Sequence, residues 1–123
     1  MHTIEQTIER IRNFRDARDW MQFHNPKNLA CSIVIEAAEL LEHFQWKTPR
    51  ESAEHATIRR DEVAAEMADV AIYLIELADN LGIDLLTAIN QKLDINEQKY
   101  PVAKAKGSAK KYSEFTDSQA DEP

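Results

Sequence analysis

Glycine and proline are scarce in this chain, two and four among 123 residues. A meander of short strands needs the turn chemistry those residues supply, so their scarcity argues against an all-β architecture. A single cysteine, Cys31, rules out a disulfide framework within the chain. It falls in an apolar helical pattern and is expected to be a buried structural thiol, in keeping with a reducing, cytoplasmic setting. No apolar run approaches the roughly 18 residues of a membrane span, and the N-terminal MHTIEQTIERIR is amphipathic rather than signal-like. Positive charge is also in deficit. Fifteen Lys and Arg against 22 Asp and Glu leave a net charge of −7, which argues against a coat for DNA or RNA polymers but not against a small anion held through metal ions.

What remains is a helix-forming mixture of Ala, Leu, Glu, Ile, Lys and Gln. Thr3 with Gln6 reads as a capping box, and Ile4, Ile8, Ile11 and Phe14 recur at helical spacing, which predicts a first helix to about residue 21. Asn25-Pro26 is a start signal for a second helix running to about residue 46. Thr48-Pro49-Arg50-Glu51 repeats that signal for a short helix to about residue 56. A third long helix spans about 58 to 80 and stops at Gly82. Asp84 caps a fourth, which ends near residue 99 before Pro101. The expectation is an all-α, four-helix-bundle-like fold, with residues 1–101 as the helical domain and 102–123 as a mobile charged tail containing Lys104, Lys106, Lys110 and Lys111.

Two acid pairs sit in the most apolar segments, Glu36 with Glu39 in EAAELLEHFQW and Glu66 with Asp69 in EMADVAIY. At 100° per residue each pair lies on a narrow polar strip flanked by apolar side chains. Helices apolar over most of their circumference are buried on several sides, which favours an oligomer whose second subunit completes the core. Four carboxylates in one cleft repel and would take up protons unless a divalent cation joined them. Hard oxygen ligands suit Mg²⁺, with Mn²⁺ as the alternative, and Mg²⁺ commonly completes its shell with water and a substrate phosphate. Glu-x-x-His is absent, which weakens a di-iron reading. On the fourth helix Lys92, Asn96 and Lys99 recur at i, i+4 and i+7, and Lys and Asn can donate to phosphate oxygens. Trp20, Phe23, His24, Trp46 and Tyr73 supply rings on which a nucleobase can stack. The competing reading makes the acids plain surface and the rings packing groups of a non-catalytic dimerisation module. A third makes the protein a nucleotide sensor that binds without cleaving.

With these residues in view, EAAE and EMAD resemble the ExxE…ExxD signature of the MazG-like all-α nucleoside triphosphate pyrophosphohydrolases. RDWMQFHNPKNLA, EAAELLEHFQW, EMADVAIYLIELA, KLDINEQKYP and KGSAKKY are similar to the dCTP pyrophosphatase branch, across residues 4 to 112. The resemblance implies Mg²⁺-dependent hydrolysis of a nucleoside triphosphate, such as dCTP or a modified dCTP, to the monophosphate and pyrophosphate. It implies a role in cleansing the nucleotide pool. Glu36, Glu39, Glu66 and Asp69 would hold the metals, with Glu39 the favoured base for the attacking water and Glu36 beside it. Trp20, Met21, Gln22, Phe23 and His24 match the block that surrounds the base, Trp46 and Tyr73 match further base contacts, and Lys92 and Asn96 match positions near the phosphates. The family's active form implies a homodimer or homotetramer. Ile11 departs from the branch, which can carry a histidine there. That departure bears on the dCTP preference rather than on the reaction.

Overall fold

The computed structural model describes residues 1–115, and residues 116–123, the end of the expected tail, lie outside them. Every regular element among the described residues is helical. The chain divides into two compact units, Met1–Ile83 and Asp84–Pro123.

The first unit contains α1 (Ile4–Ala17), a 3₁₀ turn (Met21–Phe23), α2 (Pro26–Glu42), α3 (Pro49–Ile58) and α4 (Arg60–Asn80). The start signals act as expected from local chemistry. Thr3 and Gln6 close a reciprocal capping box at 3.0 and 3.1 Å, and Thr48 and Glu51 do the same at 3.0 and 3.2 Å. Asn25 accepts from the Asn28 amide at 2.9 Å, with Pro26 in the first helical position. α4 is the hub. It packs most extensively against α2 and also contacts α1 and α3.

Two helices end earlier than their periodicity predicts. α1 stops at Ala17 rather than near residue 21. Asp19 takes a left-handed φ of 53°, and the Asp19 and Trp20 amides turn back to the Asp16 and Arg15 carbonyls, both at 3.1 Å. That is a Schellman closure built on aspartate instead of glycine. α4 ends by the same device, with Gly82 at φ 68° and Gly82 and Ile83 donating to Asp79 and Ala78 at 3.1 and 2.8 Å. α2 stops at Glu42 rather than near residue 46. There the His43 and Phe44 amides tighten onto Leu40 and Leu41 three residues back, at 3.2 and 2.8 Å.

Among the described residues the buried apolar side chains are few: Leu29, 1% exposed, and Ala78. The outer faces of α2 and α4 expose Val34, Ile35, Leu41, Met67 and Leu74. Cys31 is exposed too, and this corrects the expectation of a buried thiol. Its place in an apolar pattern was read correctly, but the chain's own helices do not cover that face of α2.

The second unit contains α5 (Leu85–Lys99), the single turn α6 (Val102–Ala105) and a 3₁₀ turn (Tyr112–Glu114). Asp84 accepts from the Thr87 amide at 3.0 Å and so starts α5. Tyr100 meets Tyr112 and Phe115 edge-to-face, with ring centroids at 6.2 and 5.8 Å. No helix among the described residues is long and apolar enough to cross a membrane.

Candidate active site

α2 and α4 carry the acid strips toward each other. Glu36, Glu39 and Glu66 each bring a carboxylate oxygen within 4.8 Å of the other two. This follows from helical spacing: Glu36 and Glu39 share a face of α2, and the α2–α4 packing sets Glu66 opposite them. Oε2 of Glu36 and Oε2 of Glu66 are buried without a hydrogen-bond partner. An orphaned buried acceptor is costly.

The electrostatics agree with that geometry. The Glu36 carboxyl is raised above the usual glutamate range, first by desolvation, then by the adjacent Glu39, then by Asp69 and Glu66. Glu66 is raised as well, chiefly by desolvation and then by Glu39, with a small opposing pull from His43. Asp69 is exposed and stays outside the three-oxygen group, although its charge bears on Glu36, Glu66 and Tyr73. A tight group of hard oxygen donors, short of cations and holding two unpartnered oxygens, fits a divalent cation of the Mg²⁺ or Mn²⁺ kind.

Beside the acids lies a cavity of about 500 Å³. Trp20, His24 and Tyr73 border it together with Ile11, Phe14, Asp69 and Glu76. Aromatic rings follow one another round it: Phe14 to Trp20 at 5.7 Å, Trp20 to His24 at 6.2 Å and His24 to Tyr73 at 6.3 Å between centroids. Burial is the first cause that raises the Tyr73 phenol, and the charges of Glu36, Asp69 and Glu76 add to it. Tyr73 therefore stands within electrostatic reach of both the acid group and the cavity.

The other sequence-predicted residues are placed elsewhere. Met21, Gln22 and Phe23 form the exposed 3₁₀ turn and do not border this cavity. Gln22 Nε2 instead donates to the Asp19 carbonyl at 2.9 Å and to its carboxylate at 3.1 Å. Trp46 is 89% exposed in the turns after α2. Lys92 and Asn96 share one face of α5 with Leu85 and Ile89, within the second unit.

Several functional-looking groups were not singled out by pattern. Glu76 was visible as a member of the α4 polar strip, but nothing in the sequence showed that it would be 3% exposed and paired with His24. Arg15 is buried and donates to Asp16 at 2.7 Å and Asn80 at 2.8 Å. His43 and His55 meet nitrogen to nitrogen at 2.8 Å, with His55 held below the usual histidine range first by desolvation. The Glu76–His24, Arg15–Asn80 and His43–His55 pairings each join separate elements of the chain, and spacing along one helix carries no signal for that.

The fold and site define a class of all-α proteins that set a carboxylate trio from facing helices beside a ring-lined cavity. The MazG-like family model matches residues 31–115, and the chain belongs to the MazG-like family. It is 43% identical over 117 residues to dCTP pyrophosphatase 1 of Homo sapiens, spanning 90% of this chain and 69% of that protein. The dCTP pyrophosphatase 1 of Bos taurus is 42% identical over the same shares. Among solved structures, a pyrophosphatase from Archaeoglobus fulgidus superimposes with a TM-score of 0.78 at 47% identity, covering 82% of this chain and 94% of that one.

Proposed function

We propose that this protein is a nucleoside triphosphate pyrophosphohydrolase whose substrate is dCTP or a modified dCTP. The reaction adds water to the α-phosphorus and releases pyrophosphate, leaving the nucleoside monophosphate. The observation that carries this reading is the carboxylate trio of Glu36, Glu39 and Glu66, with two buried oxygens that have no partner. Its similarity to dCTP pyrophosphatases across most of the chain supports the choice of substrate.

Glu36, Glu39 and Glu66, joined by Asp69, are the residues to hold divalent cations. When bound, Mg²⁺ or Mn²⁺ supplies charge neutralisation at the triphosphate and lowers the pKa of water. Glu39 takes the proton of the attacking water at its carboxylate, with Glu36 beside it on the same face of α2. Trp20, His24 and Tyr73 flank the base in the cavity. Met21, Gln22, Phe23 and Trp46 stand outside this cavity and enter the proposal as further base contacts by their match to the family's motif alone. Lys92 and Asn96, on their own unit, are proposed as donors to phosphate oxygens on side-chain chemistry alone. The apolar faces left exposed on α2 and α4 favour a homodimer or homotetramer, in which a second copy covers them. A housekeeping role on the cytoplasmic nucleotide pool is part of the same proposal.

The test is direct. Purified protein is incubated with Mg²⁺ and each common triphosphate in turn, and the products are separated. Monophosphate plus pyrophosphate, greatest with dCTP, is the expected result. Release of orthophosphate, or no turnover of any triphosphate, would sink the proposal.

A further inference from the structure

Glu76 is a carboxylate on α4, 3% exposed, yet it borders the cavity that the base is proposed to fill. Its oxygens are occupied. His24 Nδ1 lies 2.9 Å from Oε1 and 2.7 Å from Oε2, and the Asn80 amide reaches Oε2 at 3.4 Å. Asn80 is held in turn by Arg15 at 2.8 Å. A carboxylate only accepts, so the Nδ1 facing it carries the hydrogen. The ring is thereby fixed in orientation and in tautomer. Nε2 is its one remaining hydrogen-bonding atom, and in the neutral ring that nitrogen is an acceptor.

The neighbours of His24 sharpen what this means. Ile11, Phe14 and Trp20 give the cavity apolar flanks. Thr7 turns its hydroxyl back to the Thr3 carbonyl at 3.0 Å. Asp69 belongs with the acids. Ile11 has no hydrogen bond to offer, and Arg10, which also lines the cavity, can only donate, so an acceptor for the base edge must come from another position. A carbonyl facing the Nε2 acceptor would set two lone pairs against each other, whereas an amine would donate to it.

We propose that Glu76 is a positioning residue for base selection: it commits Nδ1 of His24 and leaves Nε2 as the acceptor for an exocyclic amine, such as the 4-amino group of cytosine. This rests on the pyrophosphohydrolase reading and adds to it the group that separates aminopyrimidine from oxopyrimidine triphosphates.

The experiment compares dCTP with dUTP, which differ at that amine. Wild-type protein is expected to favour dCTP in kcat/KM. Glu76→Ala should cut that preference about tenfold, the size of one lost buried hydrogen bond, mainly through a raised KM for dCTP. Glu76→Gln, whose amide oxygen still accepts from Nδ1, should restore most of it. His24→Ala should lose the preference, and adding Glu76→Ala to it should cost nothing more, because Glu76 acts through His24. Nitrogen NMR of the imidazole gives a readout independent of turnover: Nδ1–H in wild type, shifting toward Nε2–H in Glu76→Ala. A folded Glu76→Ala protein with unchanged preference, or one slowed equally on both substrates, overturns the proposal. If Glu76→Ala does not fold, an unchanged preference in His24→Ala overturns it instead. A wild-type protein that cleaves no triphosphate overturns the underlying reading and this inference together, whereas turnover with no preference for the amine overturns this inference alone.

Discussion

Glu66 and Glu76 lie on one polar strip of α4, yet their surroundings are opposite. Glu66 faces Glu36 and Glu39 from α2, all of one sign, and its Oε2 is buried without a partner. Glu76 meets His24 and Asn80, with Arg15 one step behind. Just beyond it Asp79 is gripped by two of the Arg12 guanidinium nitrogens, Nε at 2.7 Å and Nη2. One end of the strip is therefore short of positive charge and the other is fully paired. The difference separates a site from a framework. The carboxylates that the fold leaves unneutralised are the ones proposed to take a cation, while those it pairs tie α1 and the 3₁₀ turn to α4.

The largest effect expected at the unpaired end is on turnover. Glu39→Ala should lower kcat by roughly 10²–10⁴-fold, the usual share of a general base, while circular dichroism stays unchanged. A variant that keeps wild-type turnover would remove Glu39 from the proposed machinery. At the paired end the expected effect is on stability instead. Arg15→Ala should cost about 2 kcal/mol, since it removes a buried charged donor. The exposed pair Arg50–Glu54 at 3.2 Å supplies the contrast, and Arg50→Ala should change stability by less than about 1 kcal/mol. Equal losses from the two variants in urea titrations would erase the distinction drawn between buried and exposed pairs.

The two ends should also respond oppositely to pH. Glu36 and Glu66 are raised by desolvation first. In metal-free protein the stability they contribute is present below the ordinary glutamate value and lost as pH rises through their raised values. Asp79 is lowered, its Arg12 hydrogen bond being the largest cause. Its contribution is present above the ordinary aspartate value and lost as pH falls through its lowered one. Replacing Glu36 and Glu66 together by Gln should therefore raise the Tm of metal-free protein at neutral pH. It should also abolish the stabilisation that Mg²⁺ gives the wild type. A double variant that still gains Tm with Mg²⁺ would place the cation elsewhere.

The smallest expected effects concern the two left-handed helix ends. Gly82→Ala meets no neighbour within 4 Å, so its cost of about 1 kcal/mol would come from the positive φ alone. Asp19→Gly relieves the same strain and should be neutral or stabilising by up to about 1 kcal/mol, less whatever its contact with Gln22 contributes. Thermal melts of the two variants moving in the same direction would contradict the shared closure.

Helix starts were legible in the sequence because a cap is made by residues three apart, as at Thr3, Asn25, Thr48 and Asp84. The stop at Gly82 was legible because glycine marks a left-handed position, and the stop at Asp19 was not, because aspartate marks it only weakly. The acids of EAAE and EMAD were legible as strip residues through helical spacing. Cys31 was misjudged because an apolar neighbourhood along a helix does not say which face is covered.

The sequence by itself determined the helices, their caps, the faces on which the acids lie and the membership those motifs imply, since all of these rest on contacts a few residues apart. The tertiary structure alone decided which acids find a cation. Arg12 and Asp79, Arg15 and Asn80, and His24 and Glu76 are 67, 65 and 52 positions apart. Polar pairing at such separations depends on how helices dock, and the periodicity within one helix holds no record of it.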